Sequence, residues 1–130
     1  LARVTKPSVL RDVSAETLTG KIITHAAQKG DAVAIEIFDS TAKRLGFALA
    51  NTVAITNPEA IILFGGLAKS GDLLVHPTRE YMESYMQDIF KNKVKLLTSG
   101  IHDRNAAVLG AGALVWQELE KRTSHEIKLN

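Results

Sequence analysis

The apolar positions near the start of the chain recur with a helical period. Leu18 and Ile23 flank Thr19 in the arrangement of a hydrophobic staple, which favours Thr19 as the N-cap of a short helix. We expect this helix to end near Gly30, because glycine commonly follows the last turn of a helix.

A second and longer helix is predicted to begin after Asp31, which is a suitable N-cap. It should end at the pair Asn57 and Pro58, because the residue before a proline is kept out of the helical region. From Leu45 onward this helix is apolar nearly all round, so we expect its second half to be buried, with Gly46 allowing a close neighbour. The apolar positions that recur along it are Ala34, Phe38, Ala42, Leu45, Leu49 and Val53.

Two short apolar runs predict β-strands. Ile61–Phe64 is an unbroken apolar run closed by Gly65 and Gly66, which is typical of a strand covered on both faces. A second strand is predicted at Val94–Thr98. Helices alternate with these strands, and that order predicts an α/β fold with parallel strands. Two strands are too few for a stable parallel sheet, so we expect upstream strands or another copy of the chain to complete it.

The helix between the strands is predicted to start at Pro77, which suits the first helical position, after a turn capped by Asp72. The core-facing stripe of this helix is Tyr81, Met82, Tyr85, Met86 and Ile89. After the second strand, Asp103 or Asn105 precedes a helix rich in small residues over 106–122.

Composition divides the chain into three parts. Residues 1–17 form an irregular, polar lead-in interrupted by Pro7, residues 18–122 carry the predicted helices and strands, and residues 123–130 are a polar tail that we expect to fray. Leu1 is not an initiator methionine, so we expect the chain to begin inside a longer protein.

The bulk composition excludes several classes of protein. An apolar fraction of 45% in 130 residues is enough for a core, which argues against disorder. The net charge is only +2 and no segment concentrates Lys and Arg, so the charge gives no sign of a nucleic-acid partner. The absence of cysteine excludes a disulfide framework and suits a reducing cytoplasm. No apolar run approaches the ~20 residues that cross a bilayer, so we expect a soluble, cytoplasmic protein without a membrane partner.

The glycine pair after the first strand is the main candidate for chemistry, because ligands of open α/β sheets bind beyond the carboxyl ends of the strands. Without Cβ atoms, Gly65 and Gly66 could lie against a purine or a ribose, and a tight turn without a ligand explains the pattern equally well. Neither a Walker A loop nor a dinucleotide fingerprint is present. On the last helix, Ala107 and Gly110 are candidate ligand-side positions, although helix packing alone also explains them.

No catalytic or metal-binding arrangement is evident in the sequence. No Ser-His-Asp set or carboxylate pair stands out. Asp103 and Arg104 could touch a ribose or phosphate, but an N-cap and a solvated charge explain them better. The histidines are too far apart for a metal site to be predicted: His25, His76, His102 and His125.

The stretch from Leu18 to Trp116 resembles the ROK family, which is named for repressors, open reading frames and kinases and includes bacterial glucokinases. The matching pieces come in the family's order: the long helix, NPEAIILFGG, SGDLL and the closing helix NAAVLGAGALVW. NPEAIILFGG together with SGDLL is far more specific than either piece. The resemblance implies a partial actin-like ATPase fold of the ribonuclease H-like type, in which this chain is the C-terminal lobe with parallel strands and covering helices.

The resemblance also implies a two-lobed kinase that binds ATP with Mg²⁺ between its lobes and phosphorylates a hexose. It places Gly65 and Gly66 at the adenosine, and Leu67 where the family often has a third glycine, so all three are nucleotide-binding candidates. The family's phosphate loop, catalytic Asp, sugar-binding residues and zinc motif belong to upstream sequence. We therefore assign no catalytic residue and expect the chain alone to be inactive.

Three functional interpretations follow from these patterns. In the first, the chain is the ATP-side segment of a glucokinase-like sugar kinase, whose ligands are a nucleotide and a hexose. In the second, it is the dimerisation and effector region of a sugar-responsive repressor whose N-terminal helix-turn-helix reads DNA. In the third, it is a self-associating helical module without a ligand. We also expect a homo-oligomer, because the apolar helix and strand lack partners within the chain.

Overall fold

The computed structural model describes residues 6–101 and 106–127, which form two compact units that meet between Thr98 and Ser99. The first unit contains a 3-10 turn at Val9–Asp12, helix α1 at Gly20–Gln28, helix α2 at Ala32–Thr56, strand β1 at Ala60–Leu63, a 3-10 turn at Ala68–Ser70, helix α3 at Asp72–Tyr85 and strand β2 at Lys95–Thr98. The second unit contains helix α4 at Ala106–Ile127.

The two strands form a parallel sheet, as the alternation of helices and strands predicted. Ala60 lies opposite Lys95, and Leu63 lies opposite Thr98. Because both strands run in the same direction, their carboxyl ends lie at the same edge of the sheet, and so does the start of the loop that follows β1. That edge carries the glycine pair singled out in the sequence.

Side-chain caps start the first two helices at the predicted residues. The Thr19 hydroxyl accepts a hydrogen bond from the Ile22 amide at 3.4 Å. The Asp31 carboxylate accepts from the amides of Val33 and Ala34, each at 3.0 Å. These acceptors satisfy amides that have no partner inside their helices. Helix α2 ends where the Asn-Pro pair predicted, with Asn57 in a left-handed conformation (φ 44°).

Helices α2 and α3 pack at very close range, and Gly46 makes this approach possible. A Cβ at Gly46 would lie 2.7 Å from the Tyr81 Cβ and 2.8 Å from the Met82 amide nitrogen. Contacts that short do not occur between real atoms, so only glycine fits here. The predicted role of Gly46 is thereby confirmed. The buried side chains on this side of the unit are Ala50, Val53, Val75, Met82, Met86, Val94 and Leu96.

Helix α3 starts earlier than the sequence predicted. Its first residue is Asp72, so Pro77 lies inside the helix and has no N–H to donate to the carbonyl of Leu73. The early turns nevertheless form, because they bury Leu74 (1% exposed) and Val75. Apolar burial here outweighs one missing backbone hydrogen bond, which is why the preference of proline for a first helical position was misleading. The helix ends at Tyr85, so the predicted stripe continues beyond it as non-helical chain.

Among the described residues of its unit, strand β1 is covered on one face, not on both as predicted. Ile61 and Leu63 pack against the core below the helices. Ile62 and Phe64 point to the opposite face and are 60% and 63% exposed. Side chains alternate along a strand, so covering one face leaves every second apolar residue in contact with solvent.

The second half of α2 is likewise buried on one face only. Gly46, Ala50 and Val53 face the core, while Phe47 and Ile55 are exposed. An apolar sequence all round a helix predicted burial all round it, and that prediction is wrong for this chain. Phe47 still makes one contact, an edge-to-face arrangement with the Tyr85 ring at a centroid distance of 5.4 Å.

The described part of the lead-in, residues 6–17, is more ordered than its polar sequence suggested. Leu10, in the first 3-10 turn, is completely buried and packs in the cluster that also contains Ala34 and Phe38. Asp31 holds this segment, since its carboxylate accepts from the Ser8 hydroxyl at 3.0 Å and from the Val9 amide at 2.8 Å. The buried Leu10 side chain therefore anchors residues that were predicted to be irregular.

Helix α4 continues to Ile127, beyond the end at residue 122 that its sequence indicated. The Trp116 indole donates to the Glu120 carboxylate at 2.8 Å, one turn further along the helix. The large apolar side chains along 108–119 are exposed: Val108, Leu109, Leu114, Val115, Trp116 and Leu119. None of the helices that the structure describes is long and apolar enough to span a membrane.

Candidate functional site

The candidate site is the loop from Gly65 to Gly71, which connects β1 to α3. Gly65 and Gly71 both have a positive φ, of 96° and 60°. Residues with a Cβ rarely adopt this conformation, so the bends at the two ends of the loop require glycine. The predicted glycine turn after the first strand is therefore present. Its first residue, Gly65, has a backbone conformation that favours glycine.

The backbone conformation of Gly66, in contrast, does not require glycine. Gly66 does not belong to the glycines with a positive φ, so a side chain would not strain the backbone there. A Cβ at Gly66 would also meet no atom within 4 Å outside its chain neighbours. Within the part of the chain that the structure describes, neither conformation nor packing requires glycine at this position. The backbone there lies open, with room for a flat molecule to approach it.

The middle of the loop forms a short 3-10 turn. The Ser70 amide donates to the Leu67 carbonyl at 3.1 Å, and the Gly71 amide donates to the Ala68 carbonyl at 3.2 Å. Leu67 is 48% exposed, so it offers an apolar side chain beside the open glycines. An open backbone next to an apolar group suits the face of a heteroaromatic ring better than it suits a charged group.

A side-chain contact ties this loop to α1. The Ser70 hydroxyl lies 3.1 Å from the Thr24 hydroxyl, across 46 residues of sequence. Neither residue was predicted from the sequence to have a role of its own. A single Ser and a single Thr on different elements carry no periodic signal, so only the fold could bring this pair to notice.

Neighbouring groups shift the pKa of three side chains in the first unit. These side chains are Asp31, Asp88 and Tyr81. The backbone amide of Ala34 is the largest influence that lowers the pKa of Asp31. The Lys91 ammonium, 2.7 Å away, lowers the pKa of Asp88, and the hydrogen bond to Asp39 raises the pKa of Tyr81.

The other two candidates lie on α4, in the second unit. Ala107 occupies its first turn, and a Cβ at Gly110 would meet no atom within 4 Å. Their role as ligand-side positions stays a prediction. Asp103, Arg104 and Asn105 lie outside the described residues.

Other parts of the described chain supply no stronger site. Within residues 6–101 and 106–127 no three His, Cys, Asp or Glu side chains lie close enough together to hold a metal ion. A shallow groove of about 310 Å³ runs along the outer side of α2, lined by Val33, Glu36, Ile37, Ser40, Thr41 and Arg44. It is open to solvent and lies on a different element from the glycine turn.

The sequence of this chain is similar to those of several known proteins. The sequence profile of the ROK family matches residues 2–118. The glucokinase of Halalkalibacterium halodurans is 37% identical over 103 residues, which cover 78% of this chain and 30% of that protein. The DNA-binding transcriptional dual regulator NagC of Escherichia coli is 27% identical over 103 residues, which cover 79% of this chain and 25% of the regulator. The chain thus spans less than a third of the length of these relatives.

Two solved structures share the architecture. A protein of Cytophaga hutchinsonii assigned as a sugar kinase superposes with a TM-score of 0.74 at 26% identity, over 88% of this chain and 37% of that one. A ROK family glucokinase from Streptomyces griseus, in complex with glucose and AMPPNP, gives a TM-score of 0.61 at 30% identity, over 67% of this chain and 28% of that one. The predicted fold, part of an actin-like ATPase with parallel strands and covering helices, is confirmed.

Proposed function

Since the chain belongs to the ROK family, we propose that it is the ATP-side segment of a glucokinase-like sugar kinase, with Gly65, Gly66 and Leu67 against the adenosine of ATP. The observation that carries this proposal is Gly66. Gly66 follows the carboxyl end of β1, where ligands of open α/β sheets bind, and among the described residues no atom would lie within 4 Å of a Cβ there.

The open bend fits the group that the proposal requires. A Cβ at Gly66 would project into the space that a purine or ribose face would occupy, and nothing else fills that space. ATP supplies the phosphoryl group for transfer to a hexose hydroxyl, with Mg²⁺ neutralising phosphate charge. The loop would orient the nucleoside through shape and apolar contact. No residue of this chain is assigned to Mg²⁺, to the sugar or to catalysis, so the chain alone is expected to be inactive.

The relatives support this function for the longer protein that we propose contains the chain. The Halalkalibacterium halodurans glucokinase is 37% identical over 78% of this chain. The Streptomyces griseus glucokinase was solved with glucose and the ATP analogue AMPPNP. Ala107 and Gly110 of α4 are further proposed nucleotide-binding positions of the longer protein.

The test is ATP binding and sugar phosphorylation by the full-length protein with Gly66→Val. The valine side chain would occupy the space of the adenosine face, so we expect ATP affinity to fall by at least about tenfold, with the KM for the sugar unchanged. Gly20→Val is a matched control, because Gly20 also lacks a positive φ and has open space around it. Unchanged heat of ATP binding in Gly66→Val would remove the site assignment.

The match to NagC favours a second candidate function, the effector and dimerisation region of a sugar-responsive repressor. The two functions differ in what the full-length protein does with its ligands. A kinase consumes ATP when the sugar is added, whereas a repressor releases its DNA operator when the sugar is added. A helix-turn-helix upstream of this segment, together with no ATP consumption, would decide for the repressor.

We also propose that the chain self-associates in either role. Ile55, Ile62 and Phe64 are 84%, 60% and 63% exposed, and large apolar side chains exposed to solvent favour association. Sedimentation of the 130-residue chain at micromolar concentration should give a mass above that of a monomer. A monomeric mass would contradict this expectation.

A further inference from the structure

The contact between Thr24 and Ser70 links α1 to the candidate nucleotide loop. Thr24 lies in the middle of α1 and Ser70 at the end of the 3-10 turn, with their hydroxyl oxygens 3.1 Å apart. Both residues are half-buried, so solvent competes less for this hydrogen bond than for one at the surface.

The direction of this hydrogen bond follows from the number of protons. The Thr24 hydroxyl has one hydrogen, and it donates to the Gly20 carbonyl at 2.8 Å. That carbonyl can only accept, so the Thr24 proton is engaged there. In the contact with the loop, the Ser70 hydroxyl must therefore donate and the Thr24 oxygen must accept. Thr24 is held by its own helix and presents a fixed lone pair to the loop.

The bond reaches the glycine pair through the backbone of the turn. The Ser70 amide donates to the Leu67 carbonyl at 3.1 Å, so fixing Ser70 also fixes the residue that directly follows Gly66. At its other end the loop continues from β1, which the sheet holds in place. The open backbone at Gly66 is thus held from the sheet on one side and from α1 on the other.

We infer that Thr24 is a positioning residue for nucleotide binding, which accepts the Ser70 hydroxyl and so keeps the Gly65–Gly71 loop in the shape that receives adenosine. This inference rests on the proposed function. A loop held in its binding shape before the ligand arrives loses less conformational freedom on binding, so the ligand binds more tightly. Thr24 itself touches neither sugar nor phosphate in this scheme.

The experiment compares Thr24→Val with Thr41→Val in the full-length kinase. Valine keeps the shape of threonine and removes the acceptor. Thr41 is the matched control, because its hydroxyl also donates to a carbonyl one turn earlier, that of Ile37 at 2.7 Å, but it lies on α2. We expect Thr24→Val to raise the KM for ATP roughly two- to tenfold, with kcat and the KM for the sugar unchanged. Thr41→Val should leave all three constants as they are.

Two further variants separate positioning from a general loss of structure. Thr24→Ser keeps the acceptor oxygen and should restore the KM for ATP. Ser70→Ala removes the donor and should raise the KM for ATP as much as Thr24→Val does, and the double variant should show no further rise because both changes break the same bond. Hydrogen exchange at the Ser70 amide should be faster in Thr24→Val than in Thr41→Val, a readout that does not depend on activity.

Equal KM values for ATP in Thr24→Val and Thr41→Val would overturn the inference, and so would strictly additive effects of Thr24→Val and Ser70→Ala. Failure of the inference differs from failure of the proposed function. If Gly66→Val abolishes ATP binding and Thr24→Val leaves it unchanged, only the positioning role is lost. If Gly66→Val leaves ATP binding unchanged, the site itself is wrong.

Discussion

Two glycines of the first unit have opposite surroundings. Gly46 lies where α2 and α3 meet, and a Cβ there would collide with the Tyr81 Cβ and the Met82 amide nitrogen. Gly66 lies in the loop after β1, and a Cβ there would meet nothing within 4 Å. The first glycine is required by the protein's own packing. The second is not, which is why a ligand is the explanation that we propose for it.

The same contrast extends to the two sides of the unit. Around the helices, Leu10, Leu74 and Met82 are at most 1% exposed. At the sheet, Ile62 and Phe64 remain more than half exposed. An apolar run in the sequence therefore does not by itself predict burial. Its side chains are buried only where another helix or strand packs against them, as α2 and α3 do against each other.

The largest expected effect is the loss of a buried side chain from the helical side. Leu10→Ala should lower the free energy of unfolding by about 2–5 kcal/mol, because it removes a completely buried side chain and leaves a cavity. The matched variant is Phe64→Ala on the exposed face, which should change the free energy of unfolding of the monomer by about 0.5 kcal/mol or less. Urea unfolding of the chain, followed by circular dichroism, measures both.

These two variants also test the contrast itself. A large loss of stability in Phe64→Ala would mean that its ring is covered in solution, by a second copy of the chain or by another segment. A small loss in Leu10→Ala would mean that the lead-in is not anchored in the core as its contacts indicate.

The next effect compares the two glycines with one and the same substitution. Gly46→Ala should lower the free energy of unfolding by about 1–3 kcal/mol, because its new methyl group meets backbone atoms that cannot rotate away. Gly66→Ala should change it by about 0.5 kcal/mol or less. Equal effects of the two substitutions in a urea titration would contradict the packing difference on which the site assignment depends.

Local signals in the sequence predicted most of the helix ends and the direction of the strands. The helix ends at Thr19, Asp31 and the Asn57-Pro58 pair depend on contacts between neighbouring residues, so they can be predicted from the sequence. The start of α3 was missed because its cause is tertiary. Because Leu74 and Val75 are buried, the helix already includes them, whereas Pro77 alone indicated that the helix begins at residue 77.

The candidate site divides in the same way. Gly65 and Gly66 were predicted because a strand followed by glycines is a pattern of neighbours. The contact of Ser70 with Thr24 could not be predicted, since it joins residues of two separate elements and depends on how α1 packs beside the loop. The exposure of Ile62 could not be predicted either, because it depends on which elements cover the sheet.

The smallest effect concerns Asp31, which joins the lead-in to the start of α2. Four donors, the amides of Ala34, Val9 and Val33 and the hydroxyl of Ser8, favour its charged form, and the amide of Ala34 contributes most to lowering its pKa. A carboxylate with a lowered pKa in the folded state contributes stability at pH values above its unfolded pKa, near 3.8. This contribution is lost as the pH falls through the folded pKa.

We therefore expect the free energy of unfolding of the chain to fall as the pH is lowered below about 4, and Asp31→Asn to reduce this dependence. Asparagine keeps one acceptor oxygen, whereas both carboxylate oxygens of Asp31 accept hydrogen bonds, so the variant should lose stability near pH 7 and little at the acid end of the range. Glu16→Gln removes one carboxylate elsewhere on the lead-in and serves as the control for net charge. Thermal unfolding between pH 3 and pH 7 measures the slope. An acid slope in Asp31→Asn as steep as in the parent chain would show that Asp31 does not anchor the lead-in, and Leu10 would then be its main attachment to the helices.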